Sequence, residues 1–229
     1  MPANGDFIPD NICYSCGALT DIEINENVQY IGDSAFRSCA SLKTVIFHSF
    51  SLNSIWTYAF QGCTSLEVIN LPEGLTELGA YVFRDCPSLA SISIPSTLTH
   101  CGDRPFWNNP NIKNLYLTDL SAFCHITYDT ETWNSSTVIP NHIYLNGELL
   151  TKVVIPDTVT KIPCNAFNSD DITEIVIPDS VVLFRGNSFR WDNLSTIYFG
   201  GSEEEWAILY NAAGTPATSA TIVFNYSGT

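Results

Sequence analysis

Positive charge is scarce in this chain. Nine Lys and Arg stand against 24 Asp and Glu in 229 residues, a formal net charge of −15, and the isoelectric point lies near 4.3. A surface of that sign repels phosphate backbones and anionic membranes, so a nucleic-acid partner is not expected. Long apolar runs are missing too: none approaches the ~18 residues of a membrane-crossing helix. The first six residues, Met1 to Asp6, have neither a basic segment nor an apolar one, so the chain as it stands opens with no export signal. The recurrent catalytic and phosphate-binding motifs are absent: no nucleophile elbow, H-E-x-x-H pair, Walker loop, Rossmann glycines or EF-hand loop. Neither a cofactor nor a catalytic residue is therefore expected. Disorder is excluded in turn by a hydrophobic content of 45% against 14% charged residues.

What the chain does have is a repeat. The stretch from Cys63 to Pro72 returns along most of the sequence, and its leucine recurs as Leu19, Leu42, Leu66, Leu89 and Ile112, then as Leu150, Ile172 and Leu194. Behind each anchor runs L-x-x-I-x-I, a short strand, usually stopped by a proline: Pro72, Pro95, Pro156 and Pro178. Next comes V-x-x-I-x-x-x-A-F, as in Val28 to Phe36, with Phe36, Phe60, Phe83, Phe106, Phe167 and Phe189 at its end. A unit of this size cannot bury its apolar side alone, so successive copies must stack. The expected fold is a solenoid with a parallel sheet of short strands on one side and tight turns with a phenylalanine column on the other.

Cysteine needs separate treatment, because eight in one chain suggest disulfides or zinc. Cys16, Cys39, Cys63 and Cys86 fall at one repeat position, which predicts a column of buried reduced thiols rather than a metal cage. Cys13 and Cys16 have C-x-x-C spacing without a second pair to complete a site. Cys124 beside His125 suggests a thiol and base, but neighbours on a helix point roughly 100° apart. The bland reading has Phe123 and Cys124 packing inward and His125 facing water. Among three N-x-S sequons, at Asn134, Asn193 and Asn225, Asn193 precedes a core leucine, where a glycan would not fit.

The period lapses between Thr118 and Gly147. Asp119 is available to cap a short helix, a polar loop follows, and Asn146-Gly147 suits a hairpin turn after Ile143-Tyr144-Leu145. The C-terminus repeats the plan: Ser202 and Glu205 form a capping box ahead of Trp206, Ile208 and Leu209, and residues 221–224 read as a strand. The expected organisation is a single domain, 1–229. Within it lie a first repeat block (1–117), a helix, loop and hairpin insert (118–147), a second block (148–200) and a C-terminal cap (201–229).

The consensus Leu-x-x-Ile-x-Ile-Pro, Val-x-x-Ile, Ala-Phe and Cys resembles the BspA-like subfamily of leucine-rich repeats. It lacks the Asn of the commoner leucine-rich consensus. The resemblance implies a leucine-rich solenoid of bacterial or protist surface-protein type, extracellular or at the cell surface, whose repeats serve adhesion or recognition; it implies no activity.

In a strand written L1-x2-x3-I4-x5-I6, positions 1, 4 and 6 face the core and positions 3 and 5 project outward. Ile46, Val68, Asn70, Tyr116, Lys152, Val154, Glu174, Val176 and Tyr198 occupy those outward positions. Their partly apolar stripe with aromatic members is the expected contact face for a protein or carbohydrate partner. Two readings compete with it: strand propensity alone puts β-branched residues and Tyr on any face, and the insert could cover part of the second block. The alternatives to a binding module are a structural spacer in a larger surface protein and an intracellular scaffold, the latter compatible with reduced cysteines.

Overall fold

Prolines set the course of the chain. The computed structural model describes residues 7–48, 50–129, 140–184, 187–214 and 218–227. Pro72, Pro95, Pro156 and Pro178 each end a face strand, and each carbonyl accepts the N–H three residues on, from Leu75, Leu98, Val159 and Val181 at 2.9–3.3 Å. Lacking a ladder donor, proline stops the strand and begins this turn. The chain then makes a two-residue strand on the opposite side and returns through Ala-Phe-x-x-Cys to the next leucine. The result is a β-solenoid of parallel strands with two short helices.

On the back, Phe7–Ile8, Tyr30–Ile31, Ser54–Ile55, Glu77–Leu78, His100–Cys101 and Thr127–Tyr128 form one six-stranded parallel sheet. On the front, Asp21–Ile24 pairs with Thr44–Phe47, and Val68–Asn70, Ser91–Ile94, Asn114–Leu117 and His142–Leu145 form a second ladder. Lys152–Val154, Glu174–Ile177, Thr196–Phe199 and Thr221–Val223 form a third, backed by Lys161–Ile162 and Leu183–Phe184. Registers such as Leu115↔Ile92 and Ile175↔Ile197 keep the apolar positions in line, so Leu66, Ile69, Leu89, Ile92 and their equivalents from Leu42 on are buried between front and back, while Leu19 and Ile22 of the first unit are half-buried.

The segment where the sequence period lapses adds rungs to the stack. Thr127–Tyr128 continues the back sheet from His100–Cys101, and His142–Leu145 continues the front sheet from Asn114–Leu117. Between them lies α1, Leu120–His125, capped by Asp119 Oδ1 accepting from Ala122 N at 2.8 Å. Ile143-Tyr144-Leu145 turns at Asn146 and Gly147, both with positive φ, into Glu148–Leu149. Thr221–Val223 likewise extends the front sheet beyond Thr196–Phe199, rather than closing it. Before it comes α2, Glu203–Ala212, whose capping box is present as expected. Its Trp206 and Leu209 are buried, with Trp206 against Phe199 and Phe184, while Ile208 is 72% exposed.

Both ladders break at one seam, for two local reasons. In the back sheet the residue after each short strand donates to the preceding rung, as Gly79 N does to Ile55 O (2.7 Å) and Gly102 N to Leu78 O (2.7 Å). After Lys161–Ile162 that residue is Pro163, which has no N–H to give. In front, antiparallel Glu148–Leu149 takes the free edge of His142–Leu145, so Lys152–Val154 begins a new sheet. Side chains bridge the seam: Ser121 Oγ meets Thr158 Oγ1 (2.9 Å), His142 Nδ1 meets Asp171 (2.7 Å), and Phe123 packs edge-on against Phe167 at 6.0 Å.

The aromatic column forms as expected. Phe36, Phe60, Phe83 and Phe106 stack at 5.2–5.5 Å with nearly parallel rings. Beside it, Cys63 and Cys86 donate their thiol protons to the carbonyls of Phe36 and Phe60 (both 3.3 Å). Cys39 donates to the carbonyl of Cys13, which stands where later units have phenylalanine (3.0 Å). Every described cysteine is a free thiol. One member of the expected buried column is not buried: Cys16 is exposed, because it lies on the first described rung with none outside it. The same end leaves Ile12 56% exposed.

Candidate functional site

The alternation of the face strands puts every outward position where the sequence places it. Ile46, Val68, Asn70, Lys152 and Val154 are exposed, and Tyr116, Glu174, Val176 and Tyr198 are half-buried. Helix α1 does not cover the second block's face: Val154 remains 53% exposed, and the helix packs at the seam instead.

The seam divides these nine residues. On the first side Ile46, Val68 and Asn70 are spread along the face, and Tyr116 stacks on Tyr144 one rung on, rings 4.7 Å apart and 15° from parallel. On the second side the residues converge. Lys152 Nζ lies 3.3 Å from Glu174 Oε2 and 5.1 Å from the centre of the Tyr198 ring, bridging two rungs. Tyr198 in turn packs against Tyr226 at 4.7 Å.

Beside this cluster the face is concave. A groove of about 580 Å³ is lined by Val154, Val176 and Pro178 and by Lys152, Asp157, Asp179 and Tyr226, among others. Three of the nine expected contact residues line it. Asp157, Asp179, Asn225 and Tyr226 were not among them. The acids were readable in principle as the residue after each strand-ending proline, Pro156-Asp157 and Pro178-Asp179; Tyr226 approaches only because Thr221–Val223 adds a rung.

A second hollow of about 350 Å³ opens at the seam on the back, lined by Cys124, His125, Tyr128, Lys161 and Pro163 among others. Cys124 and His125 both line it, in unlike settings. Cys124 is buried in the face that packs inward, and burial, with Asp119 adding to it, pushes its thiol up to about 12. His125 is exposed and turns Nδ1 to the carbonyl of Ser121 at 2.7 Å.

Among the described residues no three His, Cys, Asp or Glu side chains gather as a metal site, and no helix is long and apolar enough to cross a membrane. Asn193 is held by the carbonyl of Asp170. Asn134 and the neighbouring Trp133 lie outside the described residues. The arginines on the turn side are already engaged. Arg84 lies over Trp107 (4.3 Å) and bonds Asp85 (3.0 Å), Arg104 pairs with Asp103 (3.7 Å), and Arg37 lies over Tyr58 (5.1 Å).

No curated protein matches the chain significantly. Among solved structures it is similar to a leucine-rich repeat protein from Eubacterium ventriosum. That match has 20% identity and a TM-score of 0.50, and covers 88% of this chain and 59% of that one. It is also similar to a leucine-rich repeat protein from Bacteroides ovatus (18% identity, TM-score 0.39, 96% and 67% covered). A third is the leucine-rich repeat protein of T. pallidum (21% identity, TM-score 0.39, 63% and 71% covered). The chain thus spans under two thirds of the Eubacterium protein's length. The family model described as BspA type leucine rich repeat region matches residues 6–127 and 137–206, in six copies. With most of its length matched in this way, and with the solenoid that the repeat builds, the chain belongs to the BspA-type leucine-rich repeat family.

Proposed function

We propose that the chain is a non-catalytic recognition module, presenting the outward face of its front sheets to a protein or glycan at a cell surface. The observation that carries this reading is the convergence of Lys152, Glu174, Tyr198 and Tyr226 beside a groove of about 580 Å³. Aromatic rings that are half-buried yet reachable, with charged groups beside them, suit protein and sugar surfaces alike. Membership of the BspA-type family supports surface display.

A spacer role has its own support. Ser91, Ser93 and Asn114 give the middle of the first face no chemistry beyond a hydrogen bond from Asn114 Nδ2 to Ser91 Oγ at 3.1 Å. The test is the double variant Tyr116→Ser, Tyr198→Ser, screened with the parent chain on a glycan array and on immobilised purified glycoproteins. Binding that the variant loses while its melting temperature holds supports recognition. Absence of binding by the parent chain, or binding the variant keeps, favours the spacer.

A further inference from the structure

We propose that the groove takes an extended Lys- or Arg-bearing segment of a protein partner, holding a side-chain cation between Asp157 and Asp179 and against the ring of Tyr226. This rests on the reading of the front face as a contact surface.

The argument begins with the residue that follows each strand-ending proline. In the first block that residue is Glu73, after Pro72. Its carboxylate is occupied: it accepts from Ser96 N (3.2 Å) and Ser96 Oγ (3.1 Å), with Thr118 Oγ1 at 3.4 Å. A donor therefore stands one rung on from the acid. In the second block the rung after Asp157 brings Asp179 to the same place, and the rung after that brings Gly201. Acid follows acid, and then a residue with no side chain. Asp157 and Asp179 are both exposed, and neither makes a hydrogen bond or ion pair with any described residue. Rungs of a parallel sheet lie roughly 4.8 Å apart, so the two acids occupy equivalent positions on neighbouring rungs. A guest cation entering the groove would meet both.

The surroundings favour a side-chain cation over a bare ion. Val154, Val176 and Pro178 give the lining apolar surface, which suits the methylene stem of Lys or Arg. Tyr226 is in the lining too, and an aromatic face attracts ammonium and guanidinium. The protein already shows this arrangement next door, where the Lys152 ammonium lies over the Tyr198 ring with Glu174 as its carboxylate. Lys152 is committed there, leaving Asp157 and Asp179 for a guest. The charge of −15 steers a basic partner toward the chain and an acidic one away. A neutral glycan would use the rings but has no need of two free carboxylates.

The probe is a short fluorescein-labelled peptide with Arg and Lys at alternate positions, read by anisotropy against the full chain. Asp157→Asn with Asp179→Asn is expected to weaken binding about tenfold or more, as when partners of close charge pairs are removed. Glu203→Gln with Glu204→Gln, which removes as much charge from exposed positions on α2, is expected to change it less than about twofold. A peptide with Gln for its basic residues is expected not to bind. Equal losses in the two double variants would overturn the proposal, since they report diffuse attraction to an acidic protein. So would a parent chain that ignores the peptide. If in that case the Tyr116→Ser, Tyr198→Ser variant still loses glycan or glycoprotein binding, the contact face stands and only its assignment to a basic segment fails.

Discussion

Asn109 accepts the backbone N–H of Cys86 through Oδ1 at 2.7 Å, from the place in its own unit that Cys86 fills one rung earlier. Its Nδ2 donates to the carbonyls of Phe83 (2.7 Å) and Phe106 (2.8 Å), and the side chain is wholly buried. A thiol at this position in the preceding rungs has a single proton to give; the amide satisfies two carbonyls and an N–H besides. Asn109→Ala removes all three of these buried hydrogen bonds and is expected to cost about 2–4 kcal/mol in urea unfolding. Asn109→Cys, which restores the column's own residue, is expected to cost less than half as much. Equal losses would mean that the amide contributes packing alone.

Gly102 lies where adjacent rungs nearly touch. A Cβ there would come within 2.4 Å of Ala80 N and 2.7 Å of the Gly79 carbonyl carbon, both backbone. Backbone cannot swing aside, so Gly102→Ala is expected to lower stability by about 1–3 kcal/mol, read as a fall in melting temperature. Gly17, with nothing within 4 Å of its added Cβ, provides the comparison. Gly17→Ala is expected to move the melting temperature little.

The thiols differ in reach and so in chemistry. Cys16 is exposed, whereas Cys39, Cys63, Cys86, Cys101 and Cys124 are buried. Under native conditions a thiol-reactive dye is expected to label Cys16 quickly and those five only after denaturant is added. Rapid labelling of Cys63 in the folded protein would contradict the packed column.

The same burial makes stability fall in alkali. Desolvation pushes the Cys86 and Cys124 thiols up to about 12 from an ordinary 9.0, and raises Cys63 and Cys101 as well. A thiol pKa raised in the folded state means that the unfolded chain releases protons first. The stabilisation is therefore complete below pH 9 and drains away as pH climbs toward 12. The expected slope is roughly 1 kcal/mol per pH unit for each buried thiol, measured by urea unfolding across that window. A flat profile would show the thiols open to water.

Much of this was readable in the sequence because it is local or periodic. The leucine anchors, the prolines, Asp119, Asn146-Gly147 and the Ser202 to Glu205 box each act within a few residues, and the structure has all of them in the expected roles. What could not be read depends on which rung lies beside which. Thr127–Tyr128 and His142–Leu145 become rungs only through pairing with His100–Cys101 and Asn114–Leu117, and no spacing announces it. Cys16 fits the column by position and is exposed because, among the described residues, no rung lies outside it. Among the contact residues, exposure followed from strand alternation. The company of Lys152, Asp157, Asp179 and Tyr226 did not, because residues 152 and 226 meet only after two intervening rungs are stacked.

The seam has a consequence for how the molecule comes apart. A stacked array behaves as a line of units, each coupled only to its neighbours, and its all-or-none behaviour lasts while every coupling exceeds the cost of opening a boundary. Where Pro163 withholds its donor and Glu148–Leu149 takes the front edge, the coupling rests on contacts such as Ser121–Thr158, His142–Asp171 and Phe123–Phe167. That link is expected to open first under heat or force, with Phe7 to Leu149 on one side and the groove-bearing rungs on the other. Pro163 behind and Glu148–Leu149 in front thus decide together where the line divides.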